Sequence, residues 1–192
     1  MNFYGKDVVT PEPLTLVGYQ HILTSKFDYD CTASCPEDII RELEVERVHL
    51  LDLAYANIKD KERATKKPAP WRKRSDDYHP EADQPFILKF YWQERNAPTV
   101  VDSMGAPVAA SEKLPIYAGS RVKLAFRQKT YTMKDGFTYG TKLEIRGIQL
   151  IYLGEALSSS ETAELFGTFE GGYVQASGNF DSGGDAESDL PF

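Results

Sequence analysis

The sequence predicts a mainly β fold, a small barrel with one long helix and long loops, followed by an acidic tail. Three segments of the 192-residue chain alternate apolar and polar residues with a period of two, which is typical of half-buried strands. One segment instead repeats apolar residues with helical spacing. The net charge of −7 lies in residues 158–192, which have seven acidic residues and no Lys or Arg. This asymmetry indicates a globular domain over residues 1–157 and a flexible acidic tail over residues 158–192.

The first third of the chain is predicted to contain a strand followed by the helix. Residues 1–13 are expected to be irregular, whereas residues 14–23 are rich in the β-branched and aromatic residues that favour a strand. Residues 27–35 fit no single pattern. Apolar residues then recur at helical spacing, which predicts a helix of roughly residues 36–62. Three charged residues are expected on its exposed side, namely Glu42, Glu46 and Lys59.

Three further strands are predicted in residues 86–95, 120–131 and 139–153 because each alternates apolar and polar side chains. The last two flank a Lys-Asp-Gly turn signal and are expected to form a hairpin. Within the last strand the apolar pattern changes phase after Gly147, which indicates a bulge or bend there.

The polar faces of these strands carry the strongest chemical signal, a combination of basic and aromatic residues. Cations follow the phosphates of a single nucleic-acid strand, and each aromatic ring that stacks on a base contributes ~1–3 kcal/mol whatever the base. The alternative is that lysines and arginines merely solvate the outside of a sheet. The strand residues predicted to bind nucleic acid are Lys89, Tyr91, Arg95, Arg121, Lys123, Arg127, Lys129, Tyr131, Phe137, Tyr139, Lys142 and Arg146.

A basic loop of about residues 59–85 is the second signal. Four prolines between residues 63 and 85 predict a long exposed loop, and residues 97–119 are expected to form another irregular connection. Such a mobile arm could close over a bound strand and gain from counterion release, or it could simply be a soluble loop. The loop residues predicted to bind nucleic acid are Lys66, Lys67, Trp71, Arg72, Lys73 and Arg74.

The last fifteen residues, GNFDSGGDAESDLPF, form the third signal. A flexible acidic linker with an apolar end suits partner docking, in which carboxylates meet a basic rim and a terminal phenylalanine fills a pocket. The alternative is an ordinary frayed terminus. The tail could also fold back and compete with nucleic acid for the basic face. The predicted partner-binding residues are Asp185, Glu187, Asp189, Leu190, Pro191 and Phe192.

These residues carry a resemblance to known proteins. The tip Asp-Leu-Pro-Phe resembles the acidic Pro-Phe tip of bacterial single-stranded DNA-binding proteins. Over roughly residues 14–157 the body is similar to a group of bacteriophage single-stranded DNA-binding proteins with a modified OB fold. The matching stretches are YDCTASCPEDI, PTVVDSMGAPV, LPIYAGSRVKLAFRQKTY and YGTKLEIRGIQLIYLGE.

The resemblance implies an OB-like barrel and sequence-tolerant binding that protects single-stranded DNA in phage replication and recombination. It also implies that the tail recruits replication or recombination proteins, and that the protein works in the cytoplasm of the infected bacterial host cell. The residues agree with that location, because no apolar run approaches the ~18 residues of a membrane span. The first residues also lack the pattern of a secretory signal.

Enzymatic functions have weaker support. Cys31 and Cys35 lack the paired spacing of zinc ligands, and no catalytic residue, metal or cofactor is predicted. The scattered carboxylates could serve a metal-dependent, structure-specific nuclease or a recombination factor, but no spacing unites them. A further alternative is a protein-only replisome adaptor, with the tail as the active part. An open barrel edge or the tail could mediate a homodimer, and no membrane partner is expected.

Overall fold

Nine strands, one long helix, α1 (Glu37–Ala56), and a short 3-10 helix (Glu94–Asn96) form the regular structure of the described residues. The computed structural model describes residues 2–18, 21–23, 29–74, 84–109, 114 and 116–154. The expected domain boundary at residue 157 and the predicted tail lie outside these residues. The strands are β1 (Tyr4–Val9), β2 (Leu14–Thr15), β3 (Tyr29–Cys35), β4 (Thr65–Lys66), β5 (Trp71–Lys73), β6 (Phe86–Trp92), β7 (Thr99–Val101), β8 (Arg121–Thr132) and β9 (Thr138–Tyr152).

The strands form two sheets. The larger has the order β1-β8-β9-β4, with β2 added beside β8 and β7 beside β9, and the smaller has the order β3-β6-β5. The antiparallel hairpin β8–β9 is the centre of the larger sheet, as the sequence predicts. The sheets meet where Leu16 forms a bridge with Ala33 and the amide of Val17 donates to the carbonyl of Thr32 over 3.0 Å. The mainly β class with one long helix is therefore confirmed.

Alternate residues of the longest strands fill the space between the sheets. Phe90 of β6 and Phe126 of β8 are fully buried and meet edge to face, with ring centroids 5.2 Å apart. Leu88 and Leu124, each two residues away on the same strands, are fully buried as well. The inward and outward faces predicted for β6 and β8 from the period-two pattern are confirmed.

Several short strands were not predictable from the pattern. Residues 1–13 are not irregular throughout, because β1 pairs with β8. The loop expected between residues 63 and 85 contains β4 and β5, and the connection 97–119 contains β7. β4 and β7 run parallel to different parts of β9, and such pairing depends on a distant partner rather than on local residues. The strand predicted over residues 14–23 ends at Thr15, and the described residues after it form only isolated bridges, at Leu16 and His21.

The helix is shorter than its apolar spacing predicts. It ends at Ala56 rather than at residue 62, and the side-chain amide of Asn57 donates to the carbonyl of Leu53 over 2.8 Å. Ile58 is nevertheless buried, so the apolar spacing continues past the last helical turn. No helix of the described residues is both long and apolar enough to cross a membrane.

Glu46 is not on the exposed side of α1 as predicted. Its carboxylate accepts a hydrogen bond from the backbone amide of Lys6 over 2.6 Å and another from the side chain of Gln128 over 3.0 Å. A Cβ atom on Gly5 would collide with this carboxylate, so the glycine permits the close approach of β1 to α1. Glu46 therefore ties the edge strand to the helix and to β8.

Candidate nucleic-acid interface

The outward face of β8 presents a row of basic side chains with one aromatic at its end. Buried and less buried residues alternate along the strand, so one face carries only residues of odd number. The register places Lys142 of β9 directly opposite Lys129, and Gly140 opposite Tyr131. The odd-numbered residues predicted to bind nucleic acid all lie on this outward face, namely Arg121, Lys123, Arg127, Lys129 and Tyr131.

Two of these basic side chains, Arg127 and Lys129, share one carboxylate, that of Glu144 on β9. Arg127 approaches one oxygen of Glu144 at 2.6 Å, and the Nζ atom of Lys129 approaches the other at 3.1 Å. Partial burial alone would raise the pKa of Glu144, but the hydrogen bonds and charges of Arg127 and Lys129 outweigh it and hold the pKa below that of an ordinary glutamate. Glu144 is therefore ionised and neutralises part of the basic row.

The ring of Tyr4 lies under the same two cations. The Arg127 guanidinium carbon is 4.2 Å from the ring centroid and the Lys129 Nζ atom is 4.9 Å from it. A hydrogen bond with Tyr4, together with the carboxylate of Glu144, raises the pKa of Lys129 despite some desolvation. Tyr4 remains 47% exposed, so a planar group could still reach its ring.

Lys142 adds a cation beside this pair. It is exposed and directly opposite Lys129, an arrangement of like charges that disfavours the sheet unless an anion compensates. Within the described part of the chain Lys142 has no ion pair with a carboxylate. With Arg127 and Lys129 it makes three cations beside the carboxylate of Glu144, so this patch is positive.

A cleft of about 360 Å³ joins the patch to the smaller sheet. Lys142 and Glu144 line one side of it, and Tyr91 and Arg95 line the other. Tyr91 is 60% exposed, the most open aromatic ring on the strands, and the Nζ atom of Lys89 is 4.8 Å from its ring centroid. The structure thus brings together Lys89, Tyr91, Arg95, Arg127, Lys129 and Lys142, which the sequence predicted separately.

Tyr131 extends the surface at the far end of β8. A Cβ atom on Gly140 would lie 2.9 Å from the Tyr131 hydroxyl oxygen and 3.0 Å from the Lys67 Cβ atom. The Tyr131 ring therefore crosses β9 at Gly140, where the missing side chain makes room for it, and it ends beside Lys67. This places the predicted pair of Tyr131 and Lys67 next to each other.

Trp71 does not lie in a mobile loop as predicted. It is the first residue of β5, it is half-buried, and it packs on the main core opposite Leu88. The Arg47 guanidinium carbon is 5.9 Å from its ring centroid. Trp71 is therefore held on the core rather than on an arm that is free to close over DNA. Arg72, opposite Ile87, shares the outward face of β6 with Lys89, and Lys66 and Lys73 are exposed.

The two aromatic residues predicted at the hairpin tip are also less available than expected. Tyr139 is 9% exposed and lies in a second core cluster with Leu51 and Ile58. It faces inward because it opposes Thr132, an even-numbered residue of β8. A stacking role does not fit this position. Phe137 is half-buried, and the guanidinium carbon of Arg63 lies 4.3 Å from the centroid of its ring.

The remaining predicted residues lie apart from the cleft. The pairing of β8 with β9 shifts between Ala125 and Phe126, so Arg146 is the extra residue of a bulge, as the phase change near Gly147 predicts. Arg146 is exposed there. Lys123 borders a shallow depression that includes Val9. Arg121 lies opposite Tyr152 in the register of β8 with β9. Arg74 is held at its backbone amide by the carbonyl of Pro85 over 2.7 Å.

The cysteines and carboxylates of the described residues do not form a metal site. No three His, Cys, Asp or Glu side chains in the described ranges converge as metal ligands do. Cys31 and Cys35 are free, buried thiols on β3.

Three residues of the interface were missed by sequence reasoning. Tyr4 lies in a segment without strand periodicity, and only the register that places it opposite Lys129 reveals its role. Glu144 lies two residues after Lys142 and shares its outward face, so its position was readable from the sequence, but its pairing with Arg127 and Lys129 was not. The contact of Gly140 with Tyr131 depends on the hairpin register.

Comparisons with known proteins find similarity in structure only. No protein-family profile and no curated protein sequence matches this chain. The fold is similar to that of gp2.5, a single-stranded DNA-binding protein encoded by bacteriophage T7, with a TM-score of 0.61 and 18% identity over 89% of this chain and 99% of that chain.

The fold is also similar to that of the single-stranded DNA-binding protein from bacteriophage Enc34 in complex with ssDNA. The TM-score is 0.55 and the identity 16%, over 79% of this chain and 89% of that chain. A C-terminal truncation of the Enc34 protein gives a TM-score of 0.55 over 80% of this chain and 88% of that chain. These likenesses show a shared fold, which confirms the OB-like barrel predicted from the sequence.

Proposed function

We propose that this protein binds single-stranded DNA without regard to base sequence and has no enzymatic activity. The observation that carries the proposal is the continuous surface on which exposed aromatic rings each lie beside cations. Tyr91 has Lys89 beside it, and Tyr4 has both Arg127 and Lys129. Single-stranded DNA needs this combination, because its bases stack on rings while its phosphates meet cations. The shared fold with phage proteins named for binding single-stranded DNA supports the proposal.

The bound strand would follow the cleft between the two sheets. Phosphates would lie against Arg95, Lys142 and Lys129, and bases would stack on Tyr91 and Tyr4. Neither kind of contact reads the edge of a base, so the protein would tolerate most sequences. A duplex keeps its bases stacked on each other and would lose the contacts with the rings.

The biological role we propose is protection of single-stranded DNA during phage replication and recombination, in the cytoplasm of the infected bacterial host. The acidic tail would recruit replication or recombination proteins, with the carboxylates on a basic rim and the terminal phenylalanine in a pocket. A homodimer would be compatible with this role. The proposed tail contacts are Asp185, Glu187, Asp189, Leu190, Pro191 and Phe192.

The proposal is tested by titrating the protein into fluorescent oligo-dT and into a matched duplex at two salt concentrations. We expect tight binding of the single strand, weak binding of the duplex and a strong loss of affinity at higher salt. Equal affinity for both forms, or no binding of either, would contradict the proposal.

The role of the tail needs a separate experiment. The full chain and a variant without residues 178–192 are each immobilised and exposed to purified replication and recombination proteins. Capture by the full chain and not by the variant is the expected result, whereas equal capture by both would exclude the tail as the docking segment.

A further inference from the structure

We propose that the side chain of Glu144 competes with the DNA backbone for Arg127 and Lys129. Its carboxylate occupies the position on Arg127 and Lys129 that a phosphate of the bound strand would take. The inference rests on the proposed function, and it assigns to Glu144 the control of how tightly the surface holds DNA.

The geometry of the three side chains supports the exchange. One carboxylate oxygen of Glu144 lies 2.6 Å from an Arg127 nitrogen, and the other lies 3.1 Å from the Lys129 Nζ atom. A phosphate offers the same two features, a negative charge and several acceptor oxygens, and arginine and lysine bind both groups by charge-assisted hydrogen bonds. A phosphate could therefore replace the carboxylate without rearranging either cation, since the Tyr4 ring supports both from below.

The cluster lies where DNA could reach it. The side chains of Arg127, Lys129 and Glu144 are 23%, 18% and 28% exposed, respectively. At this exposure water reaches the ion pair and partly screens it. Displacement of Glu144 by another anion would therefore cost less than displacement of a fully buried carboxylate.

The charges around the cluster favour an incoming anion over a bare surface. If Glu144 turned away, Arg127, Lys129 and Lys142 would lie together with like charges across β8 and β9. The other carboxylate nearby is Asp7 of β1, which the register sets opposite Arg127. Asp7 is exposed and forms no ion pair with Arg127 among the described residues. Release of Glu144 and arrival of a phosphate would therefore be coupled.

The consequence is that DNA binding is weaker and less sensitive to salt than the number of lysines and arginines on the surface suggests. A cation that Glu144 neutralises releases no condensed counterion from the DNA until the carboxylate leaves it. Binding then depends more on stacking and less on charge, which allows the protein to leave the strand again.

The experiment compares the full chain with Glu144→Gln and with Glu42→Gln, which removes one negative charge from the exposed side of α1. Glutamine keeps the size of the side chain and can still accept a hydrogen bond from Arg127. We expect Glu144→Gln to bind oligo-dT roughly threefold to fivefold more tightly at low salt, the scale of a partly exposed ion pair. Its plot of log affinity against log salt should steepen by ~0.7 for each newly neutralised phosphate. Glu42→Gln should behave as the parent does.

A second pair of variants keeps the inference falsifiable if Glu144→Gln alters the fold slightly. Arg127→Gln should cost more affinity in the Glu144→Gln protein than in the parent, where Glu144 already holds the arginine. Unchanged or weaker binding by a folded Glu144→Gln protein would overturn the inference and make Glu144 a residue that positions the two cations. Absence of any oligo-dT binding by the parent would instead overturn the proposed function, so the two failures are distinguishable.

Discussion

The guanidinium of Arg47 donates a hydrogen bond to the hydroxyl of Thr141 over 3.2 Å, which joins the middle of α1 to β9 across 94 residues of chain. The same side chain donates to the backbone carbonyl of Lys67 over 3.0 Å and pairs with Glu44 at 3.1 Å. Arg47 is buried, with 6% of its surface exposed. One side chain thus fixes the helix, the hairpin and the basic segment that leads into Trp71.

Replacing Arg47 by alanine should destabilise the protein. The hydroxyl of Thr141 and the carbonyl of Lys67 would lose a charged donor, and hydrogen bonds of this kind contribute roughly 1.5–3 kcal/mol. We expect the free energy of unfolding in urea, followed by circular dichroism, to fall by about 2–3 kcal/mol. Arg41→Ala is the matched control, because Arg41 is an exposed arginine of the same helix. Similar losses for both variants would show that the buried contacts of Arg47 are unimportant.

Tyr91→Ala should weaken binding of single-stranded DNA. If the open ring stacks on a base, its removal costs ~1–3 kcal/mol of binding free energy. Tyr91→Phe should retain most of the affinity, because stacking needs the ring and not the hydroxyl. Tyr117→Ala is the control, because Tyr117 is 47% exposed and lies outside the strands; it shows whether removal of any exposed tyrosine lowers the affinity. Equal oligo-dT affinity for Tyr91→Ala and the parent would remove Tyr91 from the interface.

Lys142→Gln should reduce the salt dependence of DNA binding. A lysine that contacts one phosphate contributes ~0.7 to the slope of log affinity against log salt for a single strand. The variant should therefore show a shallower slope and weaker binding at low salt. Arg41→Gln removes a cation from α1 and should leave the slope unchanged. Two equal slopes, for Lys142→Gln and the parent, would mean that no phosphate reaches Lys142.

Trp71→Ala should affect stability rather than affinity. The ring packs on the core beside Arg47, so its loss should cost about 2 kcal/mol or more in urea denaturation. Trp71→Phe keeps most of the buried ring and should bind oligo-dT as the parent does. A folded Trp71→Phe protein with much weaker DNA binding would restore the stacking role predicted from the sequence.

The two thiols should not react in the folded protein. Burial, with a smaller effect of Asp30, raises the pKa of Cys31 far above its ordinary value, and burial with Asp38 raises the pKa of Cys35 to about 12. A disulfide reagent at pH 8 should label neither cysteine until urea is added. Because unfolding lets both thiols ionise near their ordinary pKa of 9.0, stability should fall as the pH rises above that value. Rapid labelling without denaturant would contradict the buried positions.

The sequence by itself determined the fold class and which lysines and arginines of the central strands face outward. Period-two alternation is a local property, and one buried face of a strand is enough to impose it. The inward positions of Phe90 and Phe126, the outward positions of Lys89 and Lys129, and the bulge near Gly147 all follow from it.

The tertiary structure alone decided which residues meet. Tyr4 lies under Lys129, and Glu144 holds Arg127, because the register of three strands aligns them. Trp71 faces the core because the short strand β5 pairs with β6, and three residues are too few for a local pattern to reveal its face. Contacts between residues far apart in the chain depend on pairing and register, and single-strand periodicity carries no information about either.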